Sequence, residues 1–119
     1  MRALVRTAHG VYEVDLEDEE VVGLVDDPGF SPRIAVRDGD TMVVATETAH
    51  PPLRVSRDGG QTWEDSGAGL PAARALAISG DVVLHAGRNR LFLSEDGGRF
   101  WHALAPELPE IEAVALEPS

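Results

Sequence analysis

The chain of 119 residues contains no cysteine and no lysine. The absence of cysteine excludes a disulfide framework and any thiolate metal site. No segment approaches the ~20 apolar residues that a transmembrane helix needs. The N-terminus also lacks the long apolar stretch of a secretory signal. We therefore expect a cytoplasmic protein of at most one domain, with no membrane contact.

Positive charge is scarce as well. All ten basic residues are arginines, against 21 acidic residues, and the net charge is −11. So acidic a surface disfavours binding to nucleic-acid phosphates. An acidic excess without lysine is typical of proteins from salt-accumulating archaea, because molar salt screens charges beyond ~3 Å. A GC-rich genome that favours arginine codons is the alternative. The halophilic interpretation predicts that folding differs between dilute buffer and molar KCl.

Within this background, one octapeptide occurs twice. It reads SRDGGQTW at Ser56–Trp63 and SEDGGRFW at Ser94–Trp101, with five identical positions and a spacing of 38 residues. A motif that recurs at this spacing indicates an internal repeat of one supersecondary unit. The shared Asp-Gly-Gly is typical of a hairpin, because glycine adopts positive φ and the aspartate accepts backbone N–H bonds.

The octapeptide resembles the Asp-box, or bacterial neuraminidase repeat, of sialidase-like β-propellers. The first copy matches closely, whereas Phe100 replaces the usual threonine of the second, so one polar tie is expected to be lost there. The resemblance implies a structural hairpin between the two outer strands of a propeller blade, away from the ligand face. It disfavours the alternative in which Asp58 and Asp96 are catalytic carboxylates or metal ligands. The residues with this structural role are Ser56, Asp58, Gly60, Thr62, Trp63, Ser94, Asp96, Gly98 and Trp101.

Short strand-like segments surround the octapeptides in groups of four, with a period near 40 residues. The small-residue segment Ala75–Ile78 recurs as Ala113–Leu116, again 38 residues later. We therefore predict an all-β chain of three four-stranded propeller blades. An acidic turn at 15–20 occupies the position where a third box is expected. The predicted blade boundaries are 1–27 plus 111–116 for blade 1, 33–66 for blade 2 and 74–104 for blade 3.

The offset ends of this pattern predict an assembly. The chain opens with the second to fourth strands of a blade and closes with a lone first strand, residues 111–116. Closed propellers have about 4–8 blades, so three are too few for a ring. We predict a half-propeller that closes as a six-bladed homodimer, in which each terminal strand pairs with the partner's N-terminal strands. A distorted three-bladed monomer and a piece of a longer chain are the alternatives.

Function is predicted only by class. The pattern favours a non-catalytic β-propeller binding or scaffold module for a small molecule, a glycan or a protein, with no cofactor and no metal. Arginines in its loops could bind a carboxylate or an acidic sugar. For every candidate, an ordinary solvated loop side chain is the alternative. The candidate ligand-binding residues lie in loops expected at the axial face: His9, His50 (in the loop 47–51), Arg88 and Arg90.

A sialidase-like glycoside hydrolase is the alternative function that the resemblance implies. Sialidases use an arginine triad, a tyrosine nucleophile with its glutamate, and an aspartate acid. The only tyrosine, Tyr12, falls in a predicted third strand near the periphery, and no spacing assembles an arginine triad. We therefore expect no catalytic residues. A propeller fragment that assembles without any ligand is a third possibility. His85, in an apolar strand, is expected to be a hydrogen-bonded structural residue.

Overall fold

The computed structural model describes residues 1–47 and 50–118, which form twelve β-strands joined by turns and loops. They build three four-stranded antiparallel sheets, so the predicted all-β class is confirmed. Sheet I contains β1 (Arg2–Thr7), β2 (Gly10–Asp15), β3 (Glu20–Val25) and β12 (Ile111–Glu117). Sheet II contains β4 (Ala35–Asp38), β5 (Thr41–Ala45), β6 (Leu53–Ser56) and β7 (Glu64–Ser66). Sheet III contains β8 (Ala75–Ser79), β9 (Val82–Ala86), β10 (Arg90–Ser94) and β11 (His102–Glu107).

Sheet I is completed by strands from both ends of the same chain. β12 pairs antiparallel with β1, with Val114 opposite Val5 and a register shift between Arg6 and Thr7. The sequence-based prediction placed this pairing between two chains, and here it lies within one. The physical reason is the linker 26–34 between β3 and β4, whose nine residues can span up to about 30 Å. That reach lets the N-terminal strands join β12 beyond sheet III.

Sheet III is the middle layer, and both of its faces are buried. Because side chains alternate along a strand, Ala75 and Ala77 of β8 pack in one hydrophobic cluster and Leu76 in another. The first cluster joins sheet III to sheet I, and the second joins it to sheet II. A strand buried on both faces reads as a continuous apolar segment, as 75–78 does. Sheets I and II each have one face against sheet III.

The loops lie at two opposite edges of the layered sheets. The linker edge carries the β1–β2, β5–β6 and β9–β10 loops together with the linkers 26–34, 67–74 and 108–110. Its backbone bonds include Ala8 N–H to Glu110 O at 3.1 Å and Leu108 N–H to Asn89 O at 2.8 Å. The octapeptide edge carries both octapeptides and the β2–β3, β4–β5 and β8–β9 turns. The linker edge and the octapeptide edge are therefore separate surfaces built from different loops.

Candidate functional site

The first octapeptide is a hairpin closed by its own side chains. Ser56 Oγ accepts from the Gly60 N–H at 2.8 Å and donates to Asp58 Oδ1 at 2.9 Å. The same Asp58 oxygen accepts from the N–H groups of Gln61 and Thr62 at 3.0 and 2.9 Å. The Thr62 hydroxyl donates to Asp58 Oδ2 at 2.5 Å. The Thr62 hydroxyl first, then its N–H and the Ser56 hydroxyl, lower the pKa of Asp58 to about 2.

The second octapeptide repeats this geometry with one bond fewer. Ser94 Oγ accepts from the Gly98 N–H and donates to Asp96 Oδ1, both at 2.8 Å. Asp96 Oδ1 accepts from the N–H groups of Arg99 and Phe100, both at 3.0 Å. Phe100 has no hydroxyl, and the residue is 77% exposed. The Phe100 N–H is the main cause that lowers the pKa of Asp96. Both aspartates thus accept hydrogen bonds within the turns that they close.

The two tryptophans of the octapeptides differ in their partners. Trp63 Nε1 donates to Gly60 O of its own hairpin at 3.1 Å. Trp101 Nε1 donates instead to Ser66 Oγ on the outer strand of sheet II, also at 3.1 Å. The second octapeptide therefore lies at a boundary between two sheets. The first presents the same residue types where sheet II has no neighbouring sheet.

The acidic turn of sheet I keeps part of this hairpin chemistry without the motif. Asp15 Oδ1 accepts from the N–H groups of Glu17 and Asp18 at 2.9 and 3.1 Å, and these bonds lower the pKa of Asp15. The Leu16 N–H donates to Met1 O at 3.2 Å. Equivalent bonds run from Gly59 to Asp40 O and from Gly97 to Asp81 O in the other sheets.

The predicted ligand-binding residues all lie on the linker edge, but they do not form one site. His9 is exposed in the β1–β2 turn of sheet I, and His50 is exposed beside Pro51 in the β5–β6 loop of sheet II. Sheet III separates these two sheets. The predicted loop 47–51 also includes residues 48 and 49, which lie outside the described residues.

The two predicted arginines have carboxylate neighbours within the chain. Arg90 Nη2 lies 3.1 Å from Glu107 Oε1 across β10 and β11. Arg88 Nε lies 3.9 Å from Glu110 Oε1, and Arg74 binds the same oxygen at 2.8 Å. The three arginine side chains are 41–71% exposed, so the pairs are weak. A ligand carboxylate at this edge would compete with Glu107 and Glu110.

His85 is fully buried in β9. Its Nε2 lies 2.9 Å from Pro71 O, so Nε2 carries the proton and donates. Its ring meets Phe92 and Trp101 edge-on, at centroid distances of 5.6 and 6.0 Å. Nδ1 has no hydrogen-bond partner among the residues that the structure describes. Burial lowers the pKa of His85 to about 4. The expectation of a hydrogen-bonded structural histidine is confirmed.

A cavity of about 500 Å³ lies beside β4, β8 and β12, which are the first strands of the three predicted blades. Linker residues 29–33 form its other wall. Its lining includes Arg33 and Arg37 and no carboxylate. The Arg33 side chain makes no hydrogen bond or ion pair with any other described residue. Arg37 Nε donates to Gly39 O at 2.8 Å. This cavity therefore combines apolar strand residues with guanidinium groups that have no carboxylate partner among the residues that the structure describes.

That combination contrasts with the rest of the described chain. Seven of the ten arginines lie within 4.0 Å of a carboxylate: Arg2, Arg6, Arg54, Arg57, Arg74, Arg88 and Arg90. Two of the other three line the cavity, and the third, Arg99, lies in an octapeptide. Four other cavities each include at least one carboxylate in their lining. The cavity at the first strands is the candidate for an anionic ligand.

Sequence reasoning did not select Arg33 or Arg37. The available signal was position: Arg37 lies in a first strand, where β8 has Ile78 and β12 has Leu116. Tyr12, the candidate nucleophile of the hydrolase alternative, lies in β2, so β1 separates it from the cavity-lining strand β12.

No protein-family model and no curated protein matches this chain. Across the described ranges 1–47 and 50–118, no helix is long and apolar enough to cross a membrane. The same ranges contain no cluster of three or more histidine, aspartate or glutamate side chains suited to a metal ion.

Proposed function

We propose that the chain is a non-catalytic β-propeller binding module of the Asp-box type. The chain forms three four-stranded antiparallel sheets, and one strand of each sheet (β4, β8 or β12) lines the same cavity. This arrangement supports the propeller assignment. The two octapeptides, closed by matching Ser–Asp–Gly hydrogen bonds, support the Asp-box assignment. The ligand proposed is a small molecule that carries a carboxylate, such as an acidic sugar, and its site is the first-strand cavity.

The observation that carries this proposal is the charge of the cavity lining. The chain has a net charge of −11, yet the lining contains two arginines and no acidic residue. A guanidinium presents several N–H donors in one plane and matches a carboxylate in a bidentate manner. The Arg33 guanidinium makes no hydrogen bond or ion pair with any other described residue, so its N–H donors are available to a ligand.

A binding role also fits the state of the carboxylates in the octapeptides. Asp58 accepts from Thr62, Gln61 and Ser56, and these bonds lower its pKa to about 2, further below neutral pH than that of an ordinary aspartate. A carboxylate held ionised by its own turn is a poor proton donor. Asp58 and Asp96 therefore stabilise hairpins in this proposal and take no part in a reaction.

Isothermal titration calorimetry with glucuronate and N-acetylneuraminate tests the binding proposal, with N-acetylglucosamine as the uncharged control. We expect a carboxylated sugar to bind, the neutral sugar not to bind, and binding to weaken as KCl is added. Arg33→Gln keeps a polar side chain and removes the charge, and we expect at least about tenfold weaker binding. The matched control is Arg99→Gln, which removes an arginine from an octapeptide. Equal binding by both variants, or no binding of any carboxylated probe, would overturn the proposal.

A further inference from the structure

Sheet II packs against sheet III on one face, and no other sheet of the described chain covers its opposite face. In β5, Val43 is fully buried in the cluster shared with sheet III, whereas its neighbours Met42 and Val44 point to the opposite face and are only half-buried. On the adjoining strand β4, Ala35 is exposed and also points outward, since its neighbour Val36 is buried against sheet III. Ala35, Met42 and Val44 therefore form a small apolar patch on the outer face of sheet II, where Arg37 lies opposite Met42 and Arg54 opposite Val44.

The boundary between sheets II and III shows how such a face is covered in this fold. There Gly98 and Trp101 of the second octapeptide lie against sheet II. A Cβ at Gly98 would lie 3.1 Å from Val55 Cγ2 and 3.7 Å from Ser66 Oγ. The Trp101 indole donates to the same Ser66 hydroxyl. The octapeptide thus supplies a glycine for close approach and an indole for a bond across the boundary.

The first octapeptide carries the same two groups without a neighbouring sheet. Gly60 and Trp63 occupy the positions of Gly98 and Trp101 in the motif. The nearest atoms to a Cβ at Gly60 belong to Met42 and Trp63 of sheet II itself. The Trp63 indole donates within its own hairpin. The second octapeptide packs its glycine and tryptophan against sheet II. The equivalent glycine and tryptophan of the first octapeptide have no neighbouring sheet in the described chain.

The outer strand of sheet I is the matching surface. In β3, Val25 is 38% exposed and shares a face with Val11, whereas Leu24, 61% exposed, points to the opposite face because side chains alternate along a strand. The corresponding outer strand of sheet II, β7, reads Glu-Asp-Ser. Val25 lies opposite Val11 as Ser66 lies opposite Leu53, so it takes the place in sheet I that Ser66 takes in sheet II. An exposed apolar edge strand of this kind favours association.

We infer that sheet I of one copy of this chain packs against the Trp63 face of sheet II of a second copy. Two such contacts related by a two-fold axis close the assembly, because each copy supplies one of each surface. The result contains six sheets, which is within the usual range of about 4–8 for closed propellers. β12 already pairs with β1 in the same chain, so the copies dock as complete protomers without exchanging strands. The inference does not depend on the ligand proposed above.

Net charge gives the association a predictable dependence on salt. Each copy carries −11, so two copies repel each other at low ionic strength and this repulsion is screened at molar salt. We therefore expect the dimer to be favoured by KCl, the reverse of the salt dependence expected for anion binding to Arg33.

Size-exclusion chromatography with light scattering, in dilute buffer and in molar KCl over a range of protein concentrations, tests the association. The expected mass in molar KCl is twice 12.7 kDa. The variant Val44→Glu places a charge on the outer face of sheet II and should return the mass to that of one chain, with its circular dichroism retained. The matched control Phe100→Ser removes the most exposed aromatic side chain from sheet III and should leave the dimer intact. A single-chain mass in every condition would overturn the inference, as would masses that rise without limit.

The two tryptophans identify the face that is used. In Trp101→Phe the remaining Trp63 should shift its emission to shorter wavelength and resist acrylamide quenching as the dimer forms. In Trp63→Phe the remaining Trp101, already packed against sheet II, should show no change with concentration. A dimer in which Trp63 emission stays constant would mean that another surface associates, and it would overturn the proposed interface. Neither readout involves a ligand, so failure here is separate from failure of the Arg33 experiment.

Discussion

The indole of Trp101 and the hydroxyl of Ser66 form the polar connection between sheets III and II. Trp101 Nε1 donates to Ser66 Oγ at 3.1 Å, and Ser66 Oγ donates in turn to Gly98 O at 2.5 Å. One hydroxyl thus acts as acceptor and donor for the same octapeptide. It lies at the margin of the apolar cluster formed by Val36, Val43, Leu53, Val55, Leu76 and Val83.

Replacing Ser66 by alanine should destabilise the fold. The change leaves the half-buried Trp101 N–H without its acceptor, and an unsatisfied group of this kind costs about 1–3 kcal/mol. Urea unfolding followed by circular dichroism measures the loss. The control is Ser79→Ala in β8, since the Ser79 hydroxyl has no hydrogen bond to any described residue. Equal stability of the two variants would contradict the role assigned to Ser66.

Phe100→Thr should stabilise the second octapeptide. The Phe100 N–H already binds Asp96 Oδ1, as the Thr62 N–H binds Asp58, so a threonine hydroxyl at position 100 would be placed to donate to the free Asp96 oxygen. We expect a gain of up to about 1 kcal/mol. Phe100→Val is the matched control, because valine has the shape of threonine without the hydroxyl. A gain that is the same for both variants would come from removing the exposed ring and not from the bond.

The strand pattern was predictable because its causes are local. Alternating apolar residues and Asp-Gly-Gly turns act within a few residues, and the predicted strand 111–116 differs from the observed Ile111–Glu117 by one residue. The largest difference occurs in the outer strand of sheet III. It was expected to end at Leu104 but continues through Pro106 to Glu107. A proline is tolerated there because an outermost strand needs no donor on its free side.

The arrangement of the sheets was less predictable, because it depends on distant contacts. The sequence of 111–116 predicts a first strand that pairs with the N-terminal strands of a blade. Nothing local states whether that neighbour belongs to the same chain, because the linker 26–34 reaches far enough to allow it. The first-strand cavity was missed for the same reason. Arg33 and Phe30 line it only because that linker crosses the first strands.

Acid should destabilise the first octapeptide by protonating Asp58, and the Thr62 hydroxyl lowers the pH at which this occurs. The pKa of Asp58 is about 2 in the folded chain and about 3.9 in an unfolded chain. A lowered folded pKa means that the ionised carboxylate stabilises the fold above about pH 4 and that this stabilisation is lost as pH falls towards 2. Thr62→Val removes the largest cause of the shift, so the Asp58 titration midpoint should rise. Carboxyl NMR titration measures it, with Thr41→Val as control. A midpoint near 2 in Thr62→Val would contradict the assignment.

His85 should make stability depend on pH in a higher window. Its pKa falls from 6.5 to about 4 because the ring is buried, against the opposing effect of its bond to Pro71. The unfolded chain therefore binds the proton first. The stabilisation is complete above about pH 6.5 and declines as pH falls to about 4, by up to about 3 kcal/mol in total.

The variant His85→Gln isolates this effect, because the glutamine amide can still donate to Pro71 O but does not titrate. Urea unfolding between about pH 7 and pH 4 should then give a stability that changes much less with pH than that of the parent chain. His102→Gln is the control, since His102 is 49% exposed and its Nε2 is 3.9 Å from Glu19, too far for a strong bond. This variant should keep the full slope of the parent. If the slope survives in His85→Gln and disappears in His102→Gln, the proton is taken up at the surface and His85 is not its site.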